Sequence, residues 1–247
     1  MRIAIIGAGS VGTNLHHAFE LKGIRAELVH ARPLTAGGSV QQQAISELPK
    51  ADCYIYTVAD QALETVVAKV DAPQALHVHT SGSMPIEVFG ADKPHAGVLY
   101  FFQSFSRIQL IDDWSNIPCF IEGRNIDDIA AIYSLAQCLT SRIYEANGHD
   151  RERLHIAGVF ANNYTNLMYR IAAEVLKDTQ IPFEALLPLI DRTAEKVHVM
   201  APKDAQTGPA QRGDQAVMAH HEAVLASMPY GEVYRVLAAL IEKGQNH

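Results

Sequence analysis

The sequence predicts an α/β protein in which a mostly parallel sheet, with helices on both faces, is followed by an all-helical second domain. Two observations predict this. In the first half, short apolar runs typical of buried strands alternate with helical stretches. From about residue 148 the strand patterns end, and apolar residues recur at intervals of three and four positions. We therefore expect one domain over residues 1–147 and a second over 148–247.

The first half contains seven apolar runs that predict strands, at 2–6, 26–30, 53–58, 75–79, 97–101, 118–121 and 142–145. Helices are expected between them at 11–22, 60–70 and 126–139. In the second half, residues 150–178 predict one long helix of roughly 40 Å at about 1.5 Å per residue. This length and the small residues at 157, 158 and 161 favour packing against a second subunit, so we expect a homodimer through the helical domain. Three further helices are expected at 183–200, 214–227 and 230–243.

Composition excludes several classes of partner. The net charge is −7, from 20 basic and 27 acidic residues, without a basic block, so we expect no nucleic-acid partner. No stretch approaches the roughly 18 apolar residues of a membrane span, so we expect no membrane partner. The cysteines, Cys53, Cys119 and Cys138, stand in apolar surroundings and are expected to be reduced core thiols of a cytoplasmic protein.

The strongest motif is a glycine loop between the first strand and the first helix. Its spacing, Gly7-x-Gly9-x-x-Gly12, lets the backbone turn tightly and present N–H groups to a pyrophosphate at the positive end of a helix. This context is typical of a Rossmann dinucleotide-binding domain. We expect the whole loop to contact the cofactor, with residues Gly7, Ala8, Gly9, Ser10, Val11 and Gly12.

The end of the second strand indicates which dinucleotide is bound. NAD-binding domains carry an acidic residue there for the ribose 2′-hydroxyl, whereas here Val29 is followed by His30, Ala31 and Arg32. No carboxylate would repel a 2′-phosphate, and the guanidinium of Arg32 suits one. We therefore predict NADP(H), with a solvated surface arginine as the alternative.

Three later segments follow predicted strands at the edge where ligands of such sheets bind. Val58 and Asp60 are expected at the cofactor, although Asp60 is equally well explained as a helix cap. Ser81 and Gly82 are expected to form a polar, closely approachable floor for the nicotinamide or substrate, the alternative being a plain turn.

Two histidines precede that floor. His77 and His79 share a face of their strand, but no third ligand stands at a convincing spacing, so no metal is expected.

The helical half offers two polar candidates for substrate chemistry. His155 and Asn162 are seven residues apart, near one helix face, and Asn163 is adjacent. We expect His155 and Asn163, with Ser81, to polarise the substrate or donate its proton. Hydrogen bonding between helices is the alternative explanation.

A turn-rich insert, AQTGPAQRGD, is the other candidate in this half. Thr207, Gly208 and Arg212 are expected to hold a substrate carboxylate. The alternative is a capping turn in which Asp214 begins the next helix.

Taken together, these motifs resemble an uncharacterised family of NADP oxidoreductases that join a Rossmann-like domain to a helical domain of unknown function. The resemblance rests on GAGSVG, VAD, HTSGS, FQSFS, HIAGVFANNYTN and AQTGPAQRGD. More distantly the chain is similar to pyrroline-5-carboxylate reductase, the deazaflavin-dependent NADP reductases and the β-hydroxyacid dehydrogenases. The resemblance implies cofactor contacts at Gly7, Gly9, Gly12 and Arg32, and a substrate cleft between the domains that a partner subunit completes.

Two departures limit the resemblance. β-Hydroxyacid dehydrogenases carry a catalytic lysine four positions before an asparagine, where this chain has Gly158 and Val159. The family also tends to carry a proline before Gln-Ser-Phe, where this chain has the aromatic run Tyr100 to Phe102.

The sequence therefore predicts an NADP(H)-dependent oxidoreductase that transfers a hydride between nicotinamide and a small carbonyl, imine or flavin-like acceptor. The alternative is a non-catalytic NADP(H)-binding regulator.

Overall fold

A single sheet organises the first half of the chain. The structure, a computed structural model, describes residues 1–29 and 48–244, so the predicted cofactor residue Arg32 lies outside the described residues. The strands of the described residues are β1 (Ile3–Ile6), β2 (Ala26–Val29), β3 (Cys53–Tyr56), β4 (Leu76–His79), β5 (Ala96–Phe101), β6 (Cys119–Gly123) and β7 (Ile143–Glu145). They lie in the order β2-β1-β3-β4-β5-β6-β7.

The predicted mostly parallel sheet is confirmed. Strands β1 to β5 all run parallel, whereas β6 pairs with β5 in the antiparallel sense and β7 runs parallel to β6. Phe101 at the end of β5 pairs with Cys119 at the start of β6. The connection between these strands, residues 102–118, therefore begins and ends at the carboxyl edge of β1 to β5.

Helices accompany the sheet and make up most of the second half. The helices of the first half are α1 (Ser10–Leu21), α2 (Asp60–Val67), α3 (Ile126–Gln137) and α4 (Gly148–Gly158), with a 3₁₀ turn at Ile86–Phe89. A π-helical segment, Val159–Tyr164, follows. Beyond it lie α5 (Thr165–Leu176), a 3₁₀ turn (Phe183–Leu186), α6 (Leu187–Val199), α7 (Pro202–Ala205), α8 (Pro209–Arg212), α9 (Gln215–Leu225) and α10 (Gly231–Gly244).

The predicted long helix over 150–178 is three successive helical segments. The α-helical hydrogen-bonding pattern ends at Gly158, and the wider π pattern lasts until Tyr164 before α5 begins. The seven-residue spacing of His155 and Asn162 therefore no longer implies a shared face, because the rotation per residue changes between them.

Two hydrophobic layers enclose the sheet because successive strand residues point to opposite faces. On one face, Ile3, Ile5 and Ile55 pack with apolar residues of α1 and α3. On the other, Ala4, Ile6 and Tyr56 pack with α2 and with Phe89. The near-continuous apolar runs of β1 and β3 follow from burial on both faces.

The contacts divide the chain into two units, Met1–Asn162 and Asn163–His247. The first includes α4, which packs on the sheet; the predicted boundary at 147/148 coincides with the start of this helix. In the second unit, Ala210 and Met218 are the buried apolar side chains among the described residues. No helix within residues 1–29 and 48–244 is long and apolar enough to span a membrane.

The three cysteines are free, but they do not share one environment. Cys53 and Cys119 are core thiols as predicted, and burial raises the pKa of Cys53 to about 12. The prediction was wrong for Cys138, which is exposed because it lies on the same exposed side of α3 as Ser134, whose carbonyl accepts from its thiol at 3.2 Å.

Candidate functional site

The glycine loop after β1 brings separate backbone segments into close contact. Gly7 has a φ of +118° and donates its N–H to the Val29 carbonyl at 2.9 Å. A Cβ on Gly12 would overlap the carbonyl oxygen of Gly7 and lie 2.5 Å from the hydroxyl of Thr57. That hydroxyl donates to the Gly7 carbonyl at 2.6 Å. Gly7 and Gly12 are thus required by the protein's own packing.

Gly9 is different, because its surroundings are open. A Cβ at this position would meet no described protein atom closer than the Thr57 carbonyl, at 3.9 Å. Gly9 is also the N-cap of α1, without a side-chain cap and without an acidic residue in the first turn. The free N–H groups and open space fit the close approach of a pyrophosphate.

Asp60 lies at the same edge, after β3. The N-cap of α2 is Ala59, so the predicted capping role of Asp60 is not the one observed; Asp60 is the first helical residue. Its carboxylate accepts a hydrogen bond from the Ser83 hydroxyl at 2.6 Å. This bond joins the segments that follow β3 and β4. The predicted cofactor residue Val58 is half-buried and packs against the hydrophobic layer that contains α2 and Phe89.

The Ser81 hydroxyl is engaged by its own loop. Its oxygen accepts from the backbone N–H groups of Ser83 and Met84, both at 3.1 Å. The Ser81 N–H in turn donates to Nδ1 of His79 at 3.2 Å. Its O–H can donate to the Ser83 hydroxyl oxygen, 3.3 Å away, because Ser83 gives its own hydrogen to Asp60. Ser81 therefore shapes the floor of the site through its own loop.

Tyr100 and His155 lie directly over this floor. A Cβ on Gly82 would lie 2.7 Å from the ring of Tyr100 and 2.8 Å from its hydroxyl, so only glycine admits the tyrosine here. The Tyr100 hydroxyl and Nδ1 of His155 are 3.3 Å apart. Burial, with a smaller effect from the charge of Asp60, raises the pKa of Tyr100 to about 12. Tyr100 is thus a neutral hydroxyl at physiological pH.

The register of α4 along β5 explains how His155 reaches the site. Arg151 of α4 forms an ion pair with Glu122, and Glu122 is the pairing partner of Val98 in β5. Four residues further along α4, His155 contacts Tyr100, which is two residues further along β5. Four helical residues advance about 6 Å and two strand residues about 6.6 Å, so the helix keeps pace with the strand. One turn further, Gly158 lies against the ring of Phe102.

Arg151 stabilises the position of α4 on the sheet. Its side chain is fully buried and forms an ion pair with Glu122. It also donates to the carbonyl of Ala146 at 3.1 Å and to that of Met84 at 2.9 Å. One guanidinium therefore ties together β6, the start of α4 and the loop that carries Ser81.

The two strand histidines belong to the layer below the site. His77 is hydrogen-bonded to the Tyr56 hydroxyl and to the Ala72 carbonyl, both at 2.8 Å. His79 stacks on Phe89 with the ring centroids 5.6 Å apart. Burial, together with the positive charge of Arg151, lowers the pKa of His79 to about 3.

The remaining predicted residues lie in the second unit. Asn163 is exposed, within the π-helical segment. Gly208, with a φ of +113°, is the N-cap of α8, and Thr207 and Arg212 flank it on exposed positions. Asp214 caps α9 by accepting from the Val217 N–H at 3.2 Å, so the capping explanation holds for this residue.

Sequence reasoning missed Tyr100 and Arg151 as members of the site. Tyr100 was visible only as part of an aromatic run without a role. Its place at the carboxyl end of a predicted strand was the available signal. Arg151 carried none, because a lone arginine in a polar helix start looks solvated until its partners are known.

The sheet order, the glycine loop and the open face at Gly9 define a Rossmann-type dinucleotide-binding protein with a helical C-terminal region. Residues 117–241, half of the chain, match the family model "Domain of unknown function (DUF2520)". The chain is 36% identical to a "putative NADP oxidoreductase" from Bacteroides fragilis, with a TM-score of 0.85 and 98% of each chain covered. This chain therefore belongs to the family that the DUF2520 model describes.

More distant structures share the fold. A reductive aminase from Aspergillus terreus, in complex with NADPH and ethyl levulinate, has a TM-score of 0.66 at 16% identity, with 99% of this chain and 93% of that chain covered. Pyrroline carboxylate reductase from Plasmodium falciparum, with NADP bound, has a TM-score of 0.59 at 12% identity, with 98% of each chain covered. No curated protein sequence matches this chain.

The different surroundings of Gly9 and Gly12 predict different effects of alanine. Gly12→Ala will unfold or strongly destabilise the protein, because its Cβ overlaps the Gly7 carbonyl. Gly9→Ala will leave the melting temperature within about 2 °C of wild type but weaken dinucleotide binding at least tenfold, because the methyl group fills the ligand's space. Thermal melts and NADPH titration measure both effects. A Gly9→Ala variant that binds NADPH normally would contradict the predicted approach.

The buried His79 predicts acid sensitivity. Its pKa is lowered in the folded protein, so protons bind preferentially to the unfolded chain as the pH falls below about 6.5. The free energy of unfolding should therefore drop by a few kcal/mol between pH 6.5 and pH 3, and His79→Asn should lose a correspondingly smaller amount. Urea unfolding at several pH values measures this, with the exposed His149→Asn as control. Identical pH dependences of His79→Asn and His149→Asn would contradict the assignment.

Proposed function

We propose that this protein is an NADP(H)-dependent oxidoreductase that acts on a small carbonyl, imine or flavin-like acceptor. The observation that carries the proposal is that a dinucleotide-binding loop and a tyrosine–histidine pair share one edge of the sheet. The open face at Gly9 supports binding of the pyrophosphate. The hydroxyl of Tyr100, beside Gly82 and His155, supports proton donation to an acceptor.

The chain's own residues divide the work as follows. A bound NADPH would supply the hydride. Tyr100 retains its proton at physiological pH and donates it to the acceptor's oxygen or nitrogen, and His155 returns a proton to Tyr100. Ser81 and Asn163 are proposed to orient the acceptor, while Thr207, Gly208 and Arg212 are proposed to hold its carboxylate where it has one.

The preference for NADP(H) rests on the sequence after β2, where Arg32 stands and no acidic residue follows Val29. A 2′-phosphate needs a cation and the absence of a nearby carboxylate. Arg32→Ala should therefore weaken NADPH binding much more than NADH binding, which parallel titrations with both cofactors measure. Equal losses for the two cofactors would remove the 2′-phosphate role.

One observation favours the second candidate, a non-catalytic NADP(H)-binding regulator. The missing lysine would stand at Gly158 or Val159, and at Gly158 even a Cβ would lie 2.7 Å from the ring of Phe102. A lysine is absent from both positions, and at Gly158 it would also require the Phe102 ring to move. In the regulator, the helical region would signal cofactor occupancy to a partner.

Turnover by a tyrosine variant separates the two candidates. Wild-type protein should oxidise NADPH in the presence of some member of a panel of aldehydes, ketones and cyclic imines. Tyr100→Phe should lower kcat by about 100-fold, in the range of general acid catalysis, while the Kd for NADPH stays unchanged. Tyr144→Phe, on the same aromatic face but exposed, is the matched control. NADPH binding by wild type without turnover across the panel would favour the regulator.

We also propose that the helical region forms a homodimer. Leu189, Val236 and Leu240 are more than half exposed. The same unit holds a cavity of about 510 Å³ lined by apolar side chains that include Met168, Ile171, Val175, Val233 and Leu237. So many uncovered apolar side chains, in a unit with few buried ones, are typical of an obligate subunit interface.

Charge placed on this surface should break the dimer. Wild type should have the mass of a dimer by light scattering at micromolar concentration, and Leu240→Glu should lower the mass or the stability of the particle. Ile108→Glu is the matched control, because Ile108 is 98% exposed and lies in the first unit. A monomeric wild type would contradict the proposal.

A further inference from the structure

Asn14 joins the glycine-loop helix to the long connection after β5. It lies on α1, one turn after the loop, and is fully buried. Its amide nitrogen donates to the Ser10 carbonyl at 2.9 Å and to the Ser106 carbonyl at 2.7 Å. Its oxygen accepts from the Ile111 N–H at 3.0 Å. A buried amide with three satisfied hydrogen bonds is a rigid link.

This link places the FQSFS segment beside the phosphate-binding turn. Because one nitrogen atom bonds both the Ser10 and the Ser106 carbonyls, the first turn of α1 and residue 106 lie within about 6 Å of each other. A second bond, 2.7 Å between His17 and Asp112, attaches the same connection to α1 one turn further on. The segment is therefore fixed against the helix whose N-terminus would face the cofactor.

The phosphates also need a positive charge. None of the lysines and arginines in or directly beside the described β1, α1 and β2 lies near the glycine loop. Arg2 and Arg25 directly precede β1 and β2, at the opposite edge of the sheet, and Lys22 follows the far end of α1. Arg107, by contrast, directly follows the clamped Ser106 and is exposed. It forms no ion pair with another described residue.

We propose that residues 103–107 form a second wall of the dinucleotide site, that Asn14 is the positioning residue that fixes this wall, and that Arg107 neutralises the pyrophosphate. The inference rests on the proposed dinucleotide binding and adds a segment that the glycine motif does not contain. It also assigns a role to the FQSFS motif. A guanidinium is suited to this role because its charge is permanent and its donors are paired.

The single tryptophan of the chain, Trp114, reports on this wall directly. It lies in the same connection, donating to the Ile111 carbonyl at 2.9 Å and packing edge-on to Phe101 with centroids 4.8 Å apart. Since Ile111 is also bound by Asn14, a ligand held between α1 and residues 103–107 lies close to Trp114. Binding of NADPH should quench the Trp114 emission and sensitise that of the cofactor.

The test titrates NADPH and NADH into three single variants and wild type, following Trp114 emission. Arg107→Gln should raise both Kd values about tenfold, because both cofactors carry the pyrophosphate, whereas Arg25→Gln, the matched control at the opposite edge, should change neither. Asn14→Ala should weaken binding of both cofactors and reduce the limiting quench of Trp114. Thermal melting checks that the Asn14→Ala variant is folded. Because Arg107 is exposed, the Arg107→Gln variant is expected to fold normally and to report on binding alone.

Three outcomes would overturn the inference. If Arg107→Gln binds both cofactors as Arg25→Gln does, residues 103–107 are not part of the site. If the loss is confined to NADPH, Arg107 serves the 2′-phosphate and not the pyrophosphate. If wild type binds neither NADPH nor NADH, the proposed function itself fails and the inference falls with it, which the first two outcomes do not imply.

Discussion

The candidate site depends on the burial of one charge, the guanidinium of Arg151. A buried arginine needs a charge partner and hydrogen-bond acceptors, and here a carboxylate and two carbonyls from three separate segments bind its two terminal nitrogens, whereas Nε has no hydrogen-bond partner among the described residues. The requirement works in both directions. The charge holds Glu122, Met84 and Ala146 together, and in doing so fixes α4 in the register that delivers His155 to Tyr100.

Glycine has two distinct uses around this site. At Gly12 and Gly82 the missing side chain admits another part of the protein, a carbonyl oxygen in one case and a tyrosine ring in the other. At Gly9 it leaves space that no described protein atom fills. The same residue type therefore serves packing and ligand approach within one edge of the sheet, and only the surroundings of the absent Cβ distinguish the two.

Much of the fold was predictable, because burial on both faces gives β1 and β3 continuous apolar runs and amphipathic helices separate them. The glycine loop was predictable for the same reason, since its spacing has one well-known physical use. What the sequence did not contain was the partner of each polar residue. Ser81 looked free but accepts from two backbone N–H groups, and Asp60, which the sequence explained equally well as a cap or as a cofactor contact, binds Ser83. The π-helical turn at Val159–Tyr164 was also unpredictable, because residue periodicity cannot distinguish it from a continuous α-helix.

The reversal of direction at β6 has an evolutionary consequence. Because β6 runs opposite to β5, residues 102–118 leave and re-enter the sheet at the same ligand edge, and between these points the connection extends along α1, where Asp112 bonds His17. Its distal part is anchored by Trp114 and Ile117 in the core, whereas Gln103 to Gln109 are mostly exposed. Exchanges at the exposed Gln103, Ser104, Ile108 and Gln109 can accumulate without disturbing the register of any strand, whereas Ser106 is held by Asn14. Variation at these exposed positions would therefore change the ligand edge while leaving folding intact.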